Sequence, residues 1–300
     1  MDIVDLQEEH IPDLCRVYNT GITLVPHCYP VEVDRFQEGL APALGEEAGS
    51  ERLKNDHVLV ALENGTPIGF AHLADHQSKN GNIDGAIRFL MYPIGRRAVG
   101  QALLDQAVER LRERDVIIAF HQYHRYGFYH RSCSYLSDRL GHVQSLLQVN
   151  GFKRDGGEIH FDWDGYNVDP GKAPFEVEMK RKIGDETDYR ASVRVGAWSG
   201  DEEIAACEIC SCGRWSDEPS VQDRLFVKWL GVEKEYQGRK LGEYTLLYAM
   251  RASHGIGYRH AAISTAIGNH RAFVFYSNIG FHVTDMTYLW VKKQGQACSE

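Results

Sequence analysis

Two stretches of the chain repeat one order of elements: an apolar strand, a turn carrying glycine or arginine, a long helix and a second apolar strand. The first centres on Arg96-Arg97-Ala98-Val99-Gly100 and the second on Gln237-Gly238-Arg239-Lys240-Leu241-Gly242. The chain has 300 residues, about twice the usual single-domain length, so the repeat predicts two compact bodies of related plan.

Hydrophobic periodicity fills in the first body. Ile11, Leu14, Cys15 and Tyr18 fall at i, i+3, i+4 and i+7, the stripe of an amphipathic helix. A second helix is expected within 33–53. Alternation over 57–62 and 67–73 around Glu63-Asn64-Gly65-Thr66 predicts a hairpin with a tight primed turn. A strand over 83–91, a helix over 98–113 with Leu104, Val108 and Leu111 on one side, and a short strand over 116–120 come next. The Gly-, Pro-, Asp- and Asn-rich stretch 164–174 has no periodicity and reads as a linker, giving domains at 1–165 and 172–300. Beyond it, strands are expected over 175–180, 189–197, 203–212 and 225–232. A helix over 238–253 carries Leu241, Tyr244, Leu247 and Tyr248, followed by a strand over 260–267, a helix over 269–278 and a closing strand over 281–291. The halves are unequal. The first has a surplus stretch, 120–135, rich in His and Tyr, whose irregular spacing reads as a surface loop. The second has no room for the paired helices that open the first.

Composition narrows the function. A formal net charge of −9 opposes attraction to phosphate backbones and anionic lipid and suits a neutral or cationic partner, so neither nucleic acid nor membrane is expected. No stretch approaches the roughly 20 apolar residues that span a bilayer. The opening MDIVDLQEEH has acids where a secretory leader has a basic segment, and seven cysteines without framework spacing look like reduced thiols, so a cytoplasmic protein is expected. Cys207, Cys210 and Cys212 have a C-x-x-C-x-C spacing, but on a strand Cys207 faces away from the other two; they read as small buried hydrophobes, and no metal is expected.

The chemistry concentrates in the second repeat. From Leu230 to Gly242 an apolar strand ends, a charged turn follows and a helix begins. The free N–H groups and positive dipole end of its first turn, with Arg239 and Lys240 beside them, suit a pyrophosphate. Downstream stands Asn269-His270-Arg271-Ala272-Phe273-Val274-Phe275-Tyr276-Ser277-Asn278-Ile279-Gly280-Phe281. Together these segments resemble the GNAT acetyltransferase superfamily, whose Q/R-x-x-G-x-G/A loop and helix precede an N-x-x-A-x-x-x-Y-x-x-x-G-F segment. Asn269, Ala272, Tyr276, Gly280 and Phe281 match that segment at every position.

The resemblance implies an α+β fold of two tandem GNAT-like domains, each a mixed, mostly antiparallel sheet flanked by helices, as in the mycothiol synthase type of architecture. It implies transfer of an acetyl group from acetyl-CoA to a small-molecule or peptide amine. Tyr276 would be the catalytic proton donor, and Leu230, Val232, Gln237, Gly238, Arg239, Lys240, Leu241, Gly242 and Asn269 would hold the cosubstrate. Lys240 departs from the pattern, standing where the family has its first loop glycine. In the first half Ala98 takes that place, Gly95 replaces the Arg or Gln, and Leu147 matches Tyr276, so this half reads as a degenerate copy whose surface would complete the acceptor groove. Glu208, Asp223 and His254 are candidates for the general base. His121, His124 and His130 with Tyr123, Tyr126 and Tyr129 are candidates for a substrate cleft. Two further readings keep the fold: an acyl-CoA-binding sensor or interaction module without turnover, and an enzyme using a non-acetyl acyl donor.

Overall fold

The computed structural model describes residues 1–40, 52–78, 81–124, 126–133 and 135–294. The chain divides into two compact units: Met1–Glu158 together with Asp285–Glu300, and Ile159–Thr284.

The first unit opens with β1 (Asp2–Asp5) and α1 (Ile11–Gly21), whose buried stripe is the expected Ile11, Leu14, Cys15 and Tyr18. Helix α2 (Val33–Leu40) accounts for part of the second expected helix; 41–51 lies outside the described residues. The hairpin is β2 (Arg52–Glu63) and β3 (Thr66–Gln77), turning at Asn64 and Gly65 with φ of 51° and 78°, the left-handed pair that a type I′ turn requires. Next come β4 (Ile83–Met91), α3 (Arg97–Arg110), β5 (Val116–Ala119), β6 (Leu136–Ser137) and α4 (Gly141–Val149). Strands β1 to β4 pair antiparallel in sequence order and β5 joins β4 in parallel. The strand on the other side of β5 comes from the end of the chain: β13 (His282–Lys293) runs antiparallel to it, Trp290 opposite Ala119. That pairing places 285–293 with the first unit.

The second unit begins within β7 (Lys153–Trp163) and continues through β8 (Glu178–Ile183), β9 (Val193–Ser199), β10 (Glu202–Ser211), β11 (Arg224–Val232), α5 (Leu241–Gly255), β12 (His260–Ala266) and α6 (His270–Ile279). Strands β8 to β11 are antiparallel, and β12 joins β11 in parallel. Ile159 and Phe161 of β7 belong to this unit's core, with Val195, Cys207, Leu225, Leu246 and Ile263.

Helix α5 buries Leu241 as expected, but the centre of its inward face is shifted from the expected one. Thr245, Leu246, Ala249, Met250 and Ser253 are buried, whereas Tyr244, Leu247 and Tyr248 are half-buried. Thr245, Ala249 and Ser253 recur every fourth residue, and small side chains let the helix lie close on the sheet while the larger ones pack at its flanks.

The described residues of 120–135 do not form a surface loop. Phe120, His124, Tyr126, Tyr129 and His130 are fully buried. The rings of Phe120, Tyr126 and Tyr129 lie 5.5, 4.7 and 5.1 Å from that of Phe89 on β4. Spacing could not reveal this, because the segment is ordered by an irregular polar and aromatic network rather than by a repeating face.

Candidate active site

The parallel ladder between β11 and β12 is short. It runs from Arg224 opposite His260 to Val227 opposite Ile263 and stops. At that point β11 bulges: Val227 pairs with Ile209 and Trp229 with Glu208, leaving Lys228 without a cross-strand partner on β10. An extra residue bends and twists its strand. Beyond the bulge, β11 continues to Val232 against β10 alone. Among the described residues its β12-facing edge has no strand partner, so a row of backbone groups stands open to an extended ligand.

That open edge leads into the turn before α5. Leu230 is half-buried opposite Cys207, and Val232 ends the strand opposite Ala205. Gln237 reaches back, its Nε2 donating to the Val232 carbonyl at 2.9 Å. The chain then needs left-handed backbone twice, at Gly238 (φ 75°) and at Lys240 (φ 64°, ψ 8°), which is the N-cap of α5. The second position explains the glycine of the family pattern: an L-residue there carries a steric cost that glycine avoids. Lys240 accepts that cost, and its carbonyl takes the Tyr244 N–H at 3.1 Å. Leu241, the first helical residue, is buried. At Gly242 a Cβ would lie 3.2 Å from Val232 Cγ2, so the glycine lets the helix start close against the strand end. The free N–H groups of this first turn face a solvent-exposed loop.

Arg239 is positioned by aromatic rings. Its guanidinium carbon lies 4.2 Å from the Phe175 ring centre and 5.7 Å from that of Tyr236, and those rings stack on each other. Phe175 and Tyr236 were not singled out in the sequence; an aromatic three residues before an arginine in a charged turn was the available signal.

Asn269 caps α6: its Oδ1 accepts the Ala272 N–H at 3.2 Å while its Nδ2 donates to Thr265 Oγ1 on β12. Tyr276, two turns on, is 7% exposed between Phe161, Phe275 and Phe281. Burial, reinforced by the nearby Cys207 thiol, pushes its phenol up to about 12. Among the described residues its hydroxyl has no hydrogen-bond partner. Because Cys207 sits opposite Leu230, Tyr276 lies against the same part of the β10–β11 pair that carries the open edge.

The three candidate bases separate by position. Asp223 precedes β11, about 30 Å of extended chain from Val232, and His254 is near the far end of α5, about 20 Å from its first turn. Glu208 is on β10 opposite Trp229, and Arg194 approaches it at 3.4 Å.

The first unit repeats the bulge and covers it. His72 pairs with Phe89 and Leu73 with Ile87, which makes Arg88 the counterpart of Lys228 and Phe89 that of Trp229. Phe89 is fully buried under the aromatic segment, whereas Trp229 is 59% exposed. Arg88 is also fully buried. It donates to Asp56 Oδ2 at 2.7 Å and to the His124 carbonyl at 2.9 Å. His72 lies between the Tyr126 hydroxyl and Asp56 Oδ1. The turn before α3 is only Tyr92 to Arg96, and the Tyr92 ring fills the space above Gly100, where an added Cβ would collide with it. Leu147 is buried in α4. The unit also holds a cavity of about 470 Å³ lined by Val17, Leu24, Tyr92, Ile94 and His142. His130 is tied to Asp285 at 2.8 Å, and Tyr123 is half-buried beside His121.

No protein-family model matches the sequence, and no curated protein matches it. Solved structures do. A tandem GNAT protein from the clavulanic acid biosynthesis pathway aligns with a TM-score of 0.67 at 16% identity, covering 99% of both chains. A GCN5-related glucosamine N-acetyltransferase region of a fungal multi-domain GH3 β-N-acetylglucosaminidase gives 0.67 at 15% identity over 97% of this chain and 38% of that one. A GCN5-related N-acetyltransferase from Sphaerobacter thermophilus gives 0.60 at 12% identity over 97% and 95%. No helix of the described residues is long and apolar enough to cross a membrane. The chain has the tandem GNAT fold.

Proposed function

We propose that the chain transfers the acetyl group of acetyl-CoA to an amine and that the second unit carries the reaction. The observation that supports this most is the unpaired edge of β11 beyond its bulge, running directly into the left-handed turn and first helical turn of α5. An extended pantetheine arm finds backbone partners at Leu230 and Val232. A pyrophosphate finds the amides of Leu241 and Gly242 together with Arg239 and Lys240. Asn269, by capping α6, fixes the helix that presents Tyr276.

In the reaction the neutral amine nitrogen attacks the thioester carbonyl carbon. A C–N bond forms, the carbonyl oxygen becomes an oxyanion, and the C–S bond then breaks to expel the CoA thiolate. The Val232 N–H stabilises the oxyanion in this reading. Tyr276 gives its phenolic proton to the leaving sulfur and recovers one from solvent; its raised pKa keeps that proton in place at neutral pH. The amine loses its proton to Glu208 or through water. The acceptor is a small-molecule or peptide amine, with the exposed Trp229 ring beside Glu208 favouring a cationic one.

Free-thiol release from acetyl-CoA over a panel of amines, with equilibrium CoA binding on the same samples, tests the proposal. Release that depends on one class of amine is expected; CoA binding with no release on any amine would favour a non-catalytic acyl-CoA-binding module. Glu208 held by Arg194 is the observation on that side.

A further inference from the structure

The first unit gathers three histidines that the proposed transfer does not use. His76 comes from β3, and His121 and His124 from the segment after β5. One ring nitrogen from each lies within 4.8 Å of the other two. His76 Nδ1 and His124 Nε2 are 3.2 Å apart, and ring centres are separated by 5.0 to 5.5 Å. His76 and His124 are buried, and His121 is half-buried and gives the cluster a side toward solvent. We propose that His76, His121 and His124 form a binding site for a single first-row divalent transition ion of the zinc class.

The donor set fits such an ion. Two imidazoles on a tetrahedral centre with metal–nitrogen bonds of about 2.0–2.1 Å have their nitrogens about 3.3 Å apart, close to the separation of His76 and His124. Three histidines with one open position suit zinc, cobalt, nickel or copper rather than magnesium or calcium, which take oxygen donors. The remaining ring nitrogens identify the ligating atoms. The Tyr123 N–H points at His121 Nδ1 (3.3 Å) and the His121 N–H at His124 Nδ1 (3.2 Å), so Nε2 of both rings is left for the ion, with Nδ1 of His76. Without metal, a proton on His124 Nε2 bridges to His76. Loading moves the ring protons of His121 and His124 to Nδ1 and gives up two contacts at the long, weak end of the hydrogen-bond range. Charge around the cluster is mixed. Asp84 stands directly opposite His76 in the β3–β4 register and Asp115 is close to Asp84, both favouring a cation; Arg88 opposes it but is itself paired with Asp56. The His124 end of the cluster is held in place, because the fully buried Arg88 donates from Nε to the His124 carbonyl at 2.9 Å.

The full-length chain, stripped with chelator and titrated with cobalt(II) and then zinc at pH 7.5, tests the site through the visible absorption of bound cobalt and its displacement by zinc. One ion per chain with submicromolar zinc affinity is expected. His121→Gln, the substitution at the half-buried position, is expected to weaken binding on the order of 100-fold while the chelated variant unfolds at the wild-type temperature. His76→Gln serves as the second variant. Absence of cobalt absorption with zinc binding weaker than micromolar in the wild-type chain would overturn the site, as would wild-type affinity in both variants. Acetyl transfer plays no part in the readout.

Discussion

Lys240→Gly is expected to raise stability and lower CoA affinity at once, because the residue meets a backbone demand badly and an electrostatic one well. Its φ of 64° lies in the left-handed region, where an L-side chain costs about 1–2 kcal/mol. Glycine removes that cost but loses about 0.5–1 kcal/mol through the greater freedom of its unfolded chain. The net gain is about 0.5–1 kcal/mol, a rise of about 1–4 °C in the melting temperature of a domain this size. The ammonium group stands at the N-terminus of α5 in an exposed turn, so its loss weakens CoA binding by about 2- to 5-fold. Lys240→Ala is the control: it keeps the strained backbone and removes the charge, so its melting temperature stays near wild type while affinity falls as in the glycine variant. Differential scanning fluorimetry and equilibrium CoA titration read the two quantities. A lower melting temperature for Lys240→Gly, or CoA affinity unchanged in both variants, would refute the reasoning.

Further outcomes are expected. Tyr276→Phe leaves CoA affinity near wild type and lowers amine-dependent thiol release about 10- to 100-fold; unchanged release would remove the tyrosine from the mechanism. The same tyrosine makes stability depend on pH only in alkali: its folded value of about 12 exceeds the ordinary 10, so its contribution is full below pH 10 and is lost toward pH 12, and Tyr276→Phe flattens the denaturation profile in that window. Asp56→Ala strands the buried Arg88 and costs about 3–5 kcal/mol in urea denaturation. Burial holds His72 down to about 4 against the Asp56 contact, so the folded chain also loses stability as pH falls from 6.5 toward 4, and a flat profile there would contradict a neutral buried imidazole. A fragment of residues 172–300 stays unfolded by circular dichroism, because Ile159, Phe161, Tyr166 and Val168 of the second unit's core are missing and each buried side chain of this kind is worth about 1.5–3 kcal/mol; a cooperatively folded fragment would contradict it.

The sequence carried the local parts of this structure. The stripe of α1, the Asn64-Gly65 turn and the strand–turn–helix before Leu241 follow from side-chain period and turn chemistry, which neighbouring residues decide. The resemblance at Asn269, Tyr276 and Gly280 pointed to the tandem GNAT fold. What pattern did not carry depends on distant partners. The inward face of α5 is set by how closely Thr245, Ala249 and Ser253 let it approach the sheet. The burial of His124 and Tyr126 goes with a bulge at Arg88, whose charge is met by Asp56 and by the His124 carbonyl from the later segment. The pairing of β13 with β5 joins strands that the linear order puts in different halves. The histidine cluster combines His76 with residues beyond α3, a meeting that neither spacing nor composition records.

Hydrogen–deuterium exchange of the full-length chain, with and without CoA, tests the central claim most directly, since it reports which backbone amides the cosubstrate covers. The account predicts slowed exchange over 229–243, spanning the open edge of β11 and the first turn of α5, with no change over 88–100. Protection confined to 88–100, beside the cavity at Tyr92 and Ile94, would place the cosubstrate in the first unit and contradict the assignment.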